Sequence, residues 1–369
     1  MFIQAVVKCA EDARTYYPNN DFSELISEVF QELYYHMHTL GEWERISTYW
    51  RETAIPFARK GSNPVLLGRL LVQFATIEGN RSNFGSLEEI YTEATNLLKH
   101  STDVKANQEL ATTLFQFGAS LVDRGNFEQA VAILSSCIEV CDANSNHRIK
   151  AFTLIQLANI KVYLAQFDEA YRILRESLEI WEKIGERDGL AHTSLYALGK
   201  AYSLNKKYIE AKQALWESLE IKLRLNESKE AIANCSHRLG KVLVHLHEYE
   251  EATKHLNTAL QLGRSLDDKE CIANTYISLA IMERDLRHID RAIAYLCDAL
   301  DQIESVRVAS LKLNISYLLL PLLFITFRWL TAIRITAKVP SYLKEQELGL
   351  ADVIRIILKS VTGKLSLEG

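Results

Sequence analysis

Proline is nearly missing from the middle of this chain: of five in 369 residues, none lies between Val65 and Leu320. Proline removes a backbone donor and breaks a helix interior, so a span this free of it suits a long run of helices. Cysteine is also sparse. The six (Cys9, Cys137, Cys141, Cys235, Cys271, Cys297) show no disulfide-framework spacing, and no signal peptide precedes them, which predicts a reduced, cytoplasmic setting. Charge of one sign is missing too. The net charge is −5 with no long run of either sign, which excludes a nucleic-acid binder working through a broad basic surface.

Catalytic signatures are absent as well. Gly363-Lys364 lacks the upstream glycine of a phosphate loop, and His247-Glu248 is not followed by the second histidine of a zinc helix. No Gly-x-Ser-x-Gly elbow and no Gly-x-Gly-x-x-Gly turn occurs. Cys137 and Cys141 with His147 could be read as metal ligands. Cys137, however, occupies a small core position that Ala259 and Ala299 fill elsewhere, so a core role is expected. His237, His245, His247 and His255 fall close together, but His245 and His247 point to different faces of a helix. The expectation is therefore no enzyme, no cofactor and no metal.

What the chain does have is repetition. An aromatic residue and an alanine three positions later recur as Phe127/Ala130, Phe167/Ala170, Tyr208/Ala211 and Tyr249/Ala252, with Ile289/Ala292 as a weaker copy. Nine residues before each stands a small residue (Gly118, Ala158, Gly199, Gly240, Ala280), and four after each alanine a leucine (Leu134, Leu174, Leu215, Leu256, Leu296). The step between copies is 40, 41, 41 and 40 residues. Each copy reads as two antiparallel helices that close against each other where the small residues allow it. Such a hairpin is apolar on more than one face and needs a neighbour of its own kind.

In this pattern of small, aromatic, alanine and large residues the chain resembles the tetratricopeptide repeat superfamily over about residues 25–305. The repeat is longer than that family's usual one. It resembles the long-repeat branch of kinesin light chain, the LGN adaptor and the sensor arms of bacterial STAND (NB-ARC-type) ATPases. The resemblance implies an all-α fold, a right-handed α-solenoid of about seven helical hairpins with terminal capping helices. The segment Glu32 to Lys60 also resembles the start of such sensor arms.

Taken in order, residues 1–22 read as an N-terminal capping helix and 23–105 as two degenerate repeats, around Trp43 and Phe84. The five clear repeats fill 106–305. Residues 306–340 carry an apolar stretch, Ile315 to Ile333, with Pro321 inside it and Arg328 near one end. It suits either a buried closing helix, as a decayed eighth repeat, or a membrane-contacting segment barely long enough to span a bilayer. An amphipathic tail, 341–369, ends the chain.

By the resemblance, the first helix of each hairpin lines a concave groove. Carried over position by position, the groove would show Gln156, Asn159 and Tyr163, then Tyr196 and Lys200, then Asn234, His237 and Lys241, and finally Asn274, Ile277 and Arg284. Lys200 and Lys241 hold equivalent positions in successive copies. Cations, amides and a tyrosine in a row suit an extended peptide bearing Asp, Glu or a C-terminal carboxylate. The functional expectation is a scaffold that binds a protein segment, with two alternatives: a sensor arm separated from a STAND ATPase, or an assembly factor attached to a membrane through 315–333.

Overall fold

The computed structural model describes residues 43–345, apart from 62, 82, 102–103, 305, 307 and 327, together with residues 29, 30 and 34. The capping helix expected at 1–22 and the tail helix expected beyond Leu348 lie outside the described residues. The described residues are helical throughout, with short turns and no strand.

The chain divides into two compact units, residues 1–184 and 185–369. In the first, α1 (Trp43–Tyr49) runs through a π-helical turn (Trp50–Ala54) into α2 (Ile55–Lys60). Three hairpins follow: α3 (Pro64–Asn80) with α4 (Leu87–Lys99), α5 (Val104–Asp123) with α6 (Phe127–Ala143), and α7 (His147–Tyr163) with α8 (Phe167–Lys183). The second unit holds α9 (Arg187–Leu204) with α10 (Tyr208–Arg224), and α11 (Lys229–His245) with α12 (Tyr249–Ser265). It continues with α13 (Lys269–Asp285) against α14 (Ile289–Ile303), then α15 (Ala309–Ile325) against α16 (Trp329–Glu345).

The repeat signature is the packing code. Ala130, Ala170, Ala211, Ala252 and Ala292 are all fully buried, and Leu134, Leu174, Leu215, Leu256 and Leu296 are buried with them. The small residue on the first helix faces that leucine. A Cβ placed on Gly240 would lie 2.7 Å from Leu256 Cγ, and Gly199 and Gly118 meet Leu215 and Leu134 in the same way. The recurring aromatic or isoleucine is the first residue of each second helix, where Phe127, Phe167, Tyr208, Tyr249 and Ile289 stand.

The turns share one mechanism. From the α5–α6 turn to the α13–α14 turn, one residue per turn has positive φ, at Gly125, Ser145, Ala165, Gly185, Lys206, Asn226, His247, Asp267 and Arg287. Across most of them a backbone N–H reaches back five residues, as in Lys207 N to Tyr202 O at 2.9 Å and Glu248 N to Leu243 O at 3.0 Å. This is the Schellman closure, which satisfies carbonyls left over at a helix C-terminus and turns the chain sharply. Several first helices also begin on a side-chain cap: Asn146 accepts from Ile149 N, Ser228 from Ala231 N and Asp268 from Cys271 N.

The apolar stretch 315–333 is not one helix. It is divided between α15 and α16, and no helix among the described residues is long and apolar enough to cross a membrane. Ile315, Leu319 and Leu323 join the core of the second unit, while Arg328 pairs with Asp290 of α14 at 2.7 Å.

Candidate functional site

The residues singled out for the groove all stand on first helices, but they fall into two sets. Gln156, Asn159 and Tyr163 lie on α7 of the first unit. Tyr196 and Lys200 lie on α9, Asn234, His237 and Lys241 on α11, and Asn274 and Arg284 on α13, all in the second.

In the first unit, Gln156 and Asn159 are half-buried. The Tyr163 ring is exposed and stacks on Phe127 of the preceding hairpin, with centroids 5.2 Å apart. The second unit repeats this contact as His245 on Tyr208, at 4.6 Å.

In the second unit, Tyr196 is a hub. Its hydroxyl accepts from Arg238 Nε at 2.5 Å, and the Arg238 guanidinium and Lys222 ammonium lie 5.4 and 5.7 Å from its ring centre. Arg238 escaped the sequence reading. The signal was available, because Arg238 holds the position eleven before Tyr249 that Gln156 holds before Phe167. Lys200 is half-buried, and its pKa is pushed down by burial and by the positive charge of Arg238. His237 is pushed down to about 3 by burial, then by Arg238 and Lys241, so it is neutral at pH 7; its Nε2 lies 3.2 Å from Ser278 Oγ.

Two residues read as groove residues behave otherwise. Ile277 is only 7% exposed and belongs to the core of the second unit. Arg284 donates to Asp285 at 2.9 Å, so its charge is already compensated. An apolar residue on a two-sided buried helix goes to the core whichever repeat position it holds.

Beneath this face lies a polar set that the sequence did not reveal. His192 is buried, with Lys222 Nζ 3.1 Å from Nδ1 and a Glu227 carboxylate oxygen 3.3 Å from Nε2. Burial, then the adjacent Lys222 charge, pushes the His192 pKa down.

Neither metal reading gathers ligands. Cys137 and Cys141 are buried with their sulfurs 4.0 Å apart, while His147 is exposed. Cys137 instead contacts Ala111 O and Thr153 Oγ1, both at 3.3 Å. The four close-set histidines have four different neighbours: Ser278, Tyr208, Tyr249 and Trp216. Among the described residues no group of three or more His, Cys, Asp or Glu is placed to hold a metal ion.

Comparison with known proteins agrees with the repeat. Residues 150–224 and 231–305 match the family model of the tetratricopeptide repeat. No curated protein sequence matches. The fold resembles the apo form of RapI, at 16% identity and TM-score 0.60, over 76% of this chain and 99% of that one. It also resembles the apo form of the quorum sensor NprR from B. thuringiensis, at 14% identity and TM-score 0.60, over 92% and 94%. A Rap protein complexed with competence and sporulation factor aligns at 14% identity and TM-score 0.56, over 77% and 78%. The register of small residue, aromatic, alanine and leucine, the closed hairpins and these matches together make the chain a tetratricopeptide-type repeat protein.

Proposed function

We propose that this protein is a non-enzymatic scaffold that holds an extended peptide carrying acidic groups along the first-helix face of its second unit. One observation carries the reading. Residues 190–204 of α9 and 231–245 of α11 contain Lys200, Arg238 and Lys241 and no aspartate or glutamate. The pKa values of Lys200 and His237 are lowered first by burial and then by cations nearby, Arg238 for both and Lys241 for His237. A carboxylate entering that field would gain charge-assisted hydrogen bonds from groups that the fold has already partly desolvated. Tyr196, Asn234, His237 and Asn274 add hydroxyl, amide and imidazole partners for a peptide backbone. The solved fold neighbours support a peptide partner at the level of the fold: one is the Rap conjugation gene regulator of plasmid pLS20 in complex with the Phr* peptide, at TM-score 0.56. The described cysteines are all thiols, which suits the cytoplasm.

The test is fluorescence anisotropy with labelled nonapeptides rich in Asp and Glu, against their Asn and Gln counterparts. The acidic set should bind more tightly, weaken with salt, and lose at least tenfold in a Lys200→Glu/Lys241→Glu protein of unchanged helicity. Equal binding of the two peptide sets, or no effect of the double substitution, refutes the assignment.

A further inference from the structure

The outer face of α10 departs from that of the other second helices. At seven-residue intervals it exposes three large apolar side chains, Ile209 (73% exposed), Trp216 (37%) and Leu223 (53%). Seven residues are two helical turns less about 20°, so the three stand nearly in line over about 21 Å. No other copy of the repeat signature has a large apolar residue at any of these positions. In place of Ile209 stand Glu128, Asp168, Glu250 and Asp290, and in place of Leu223 a charged residue in all four copies. Exposed apolar residues scattered singly need no explanation, but a line of them on one helix marks a contact surface. Heptad spacing is the seam that one helix offers another.

The middle of the line is held in place. Trp216 Nε1 donates to Glu220 at 3.0 Å, and its ring meets the edge of His255 on α12 with centroids 5.5 Å apart. A tryptophan fixed at the centre of an apolar strip loses little freedom on docking and is a typical anchor of an interface. The residues around it are arranged symmetrically. Ile209 and Leu223 lie seven residues to either side, Lys212 and Glu220 four to either side, and the exposed Glu210 and Arg224 close the two ends. The helix thus starts acidic and ends basic.

We propose that this face of α10 pairs with the same face of a second copy of the chain, antiparallel, about a two-fold axis at Trp216. Trp216 then meets its own copy and Ile209 meets Leu223. Lys212, which Glu248 also holds at 2.5 Å, lies level with Glu220 of the other molecule. Glu210 comes within one turn of the other molecule's Arg224, and the pair forms twice because the contact is isologous. Antiparallel packing also sets the two helix dipoles against each other favourably. The mixed charge around the strip is a poor match for a lipid surface, which calls for a basic surround. The strip exposes about 300 Å² of apolar side chain per copy, less than half of the about 800 Å² that each side of a stable interface buries. The dimer is therefore weak, with a Kd of about 10–100 μM. The surface shares no residue with the first-helix face assigned to an acidic peptide and does not depend on it.

Sedimentation velocity of the full chain from about 2 to 200 μM should show the mean mass climbing from one copy toward two, given that Kd. Trp216→Glu should raise the Kd at least 30-fold while leaving helicity and melting at about 2 μM unchanged, since the side chain is on the surface of the monomer. Glu210→Arg and Arg224→Glu should each weaken association about tenfold, because each places like charges together at both ends. Combined in one chain, or mixed as two single variants, they should associate within about threefold of the parent, since acid again meets base. Lys200→Glu/Lys241→Glu should dimerise as the parent does. A chain that is monomeric at about 200 μM, whether the strip is bare or covered by another segment, overturns the proposal. So does association that survives Trp216→Glu, or a charge-exchanged chain no better than the single variants.

Discussion

Gly240 offers a measure of how closely the hairpins are packed. An alanine Cβ there would lie 2.7 Å from Leu256 Cγ, 2.8 Å from its Cδ2 and 3.3 Å from its backbone nitrogen. The first two contacts are impossible without a shift of Leu256, and the backbone atom is one that a side-chain rotation cannot move away. Overpacking of this kind costs about 1–3 kcal/mol. Against it, replacing a mid-helix glycine by alanine gains about 1 kcal/mol of helix propensity. Gly240→Ala should therefore destabilise the protein by about 1 kcal/mol. In a Leu256→Ala background, itself about 2–5 kcal/mol less stable, the side-chain obstacle is gone and propensity works against only the 3.3 Å backbone contact. The same substitution should then stabilise by about 1 kcal/mol, a coupling of about 2 kcal/mol across the cycle. Urea unfolding followed by circular dichroism reads all four proteins, with hydrogen exchange on α11 and α12 as a local check because solenoids need not unfold in one step. If Gly240→Ala stabilises both backgrounds equally, the glycine is not there for close approach and the packing argument is wrong. Ala158 and Ala280 hold the equivalent position in their copies, so the fold can house a methyl where the whole hairpin is built around it.

Two further outcomes are expected. Ala165 and Arg287 have φ of 56° and 63°, where glycine is at ease and other residues are strained, so Ala165→Gly and Arg287→Gly should each raise stability by up to about 1 kcal/mol in thermal melts; a loss at both would contradict the turn mechanism. Stability should also fall on acidification in two stages. The folded-state pKa values of His192 and His237 lie below that of an unfolded histidine, so the unfolded chain takes up protons first, and stability is lost as pH drops below about 6.5. Below about 4.5 a second loss follows from Glu78, which is buried: desolvation raises its pKa, but hydrogen bonds from Ser47, Arg81 and Asn83 outweigh this and hold it low. His237→Gln should flatten the upper stage and leave the lower; urea midpoints from pH 8 to 3.5 would show a single unchanged slope if the histidine assignment fails.

How much of the site was visible beforehand depends on what each residue answers to. That Tyr196, Lys200, His237 and Lys241 stand on first helices was legible, because a position counted from the aromatic residue fixes which helix carries them. Ile277 was misplaced because the count ignores side-chain chemistry. Arg238, which packs on Tyr196, was missed although it shares the repeat position of Gln156. Nothing in one helix says that a guanidinium will settle on the tyrosine of the previous first helix.

The sequence alone determined the hairpins. The return of a small residue, an aromatic, an alanine and a leucine in fixed order specifies which helix pairs with which, because those contacts lie within one copy and depend only on side-chain size. The tertiary structure decided the character of the exposed faces. Whether a cation lies near another, as Lys200 does near Arg238, or against a carboxylate, as Arg284 does against Asp285, depends on which side chains meet in space. Electrostatics and hydrogen bonding act over that local three-dimensional neighbourhood, and periodicity in one dimension does not encode it.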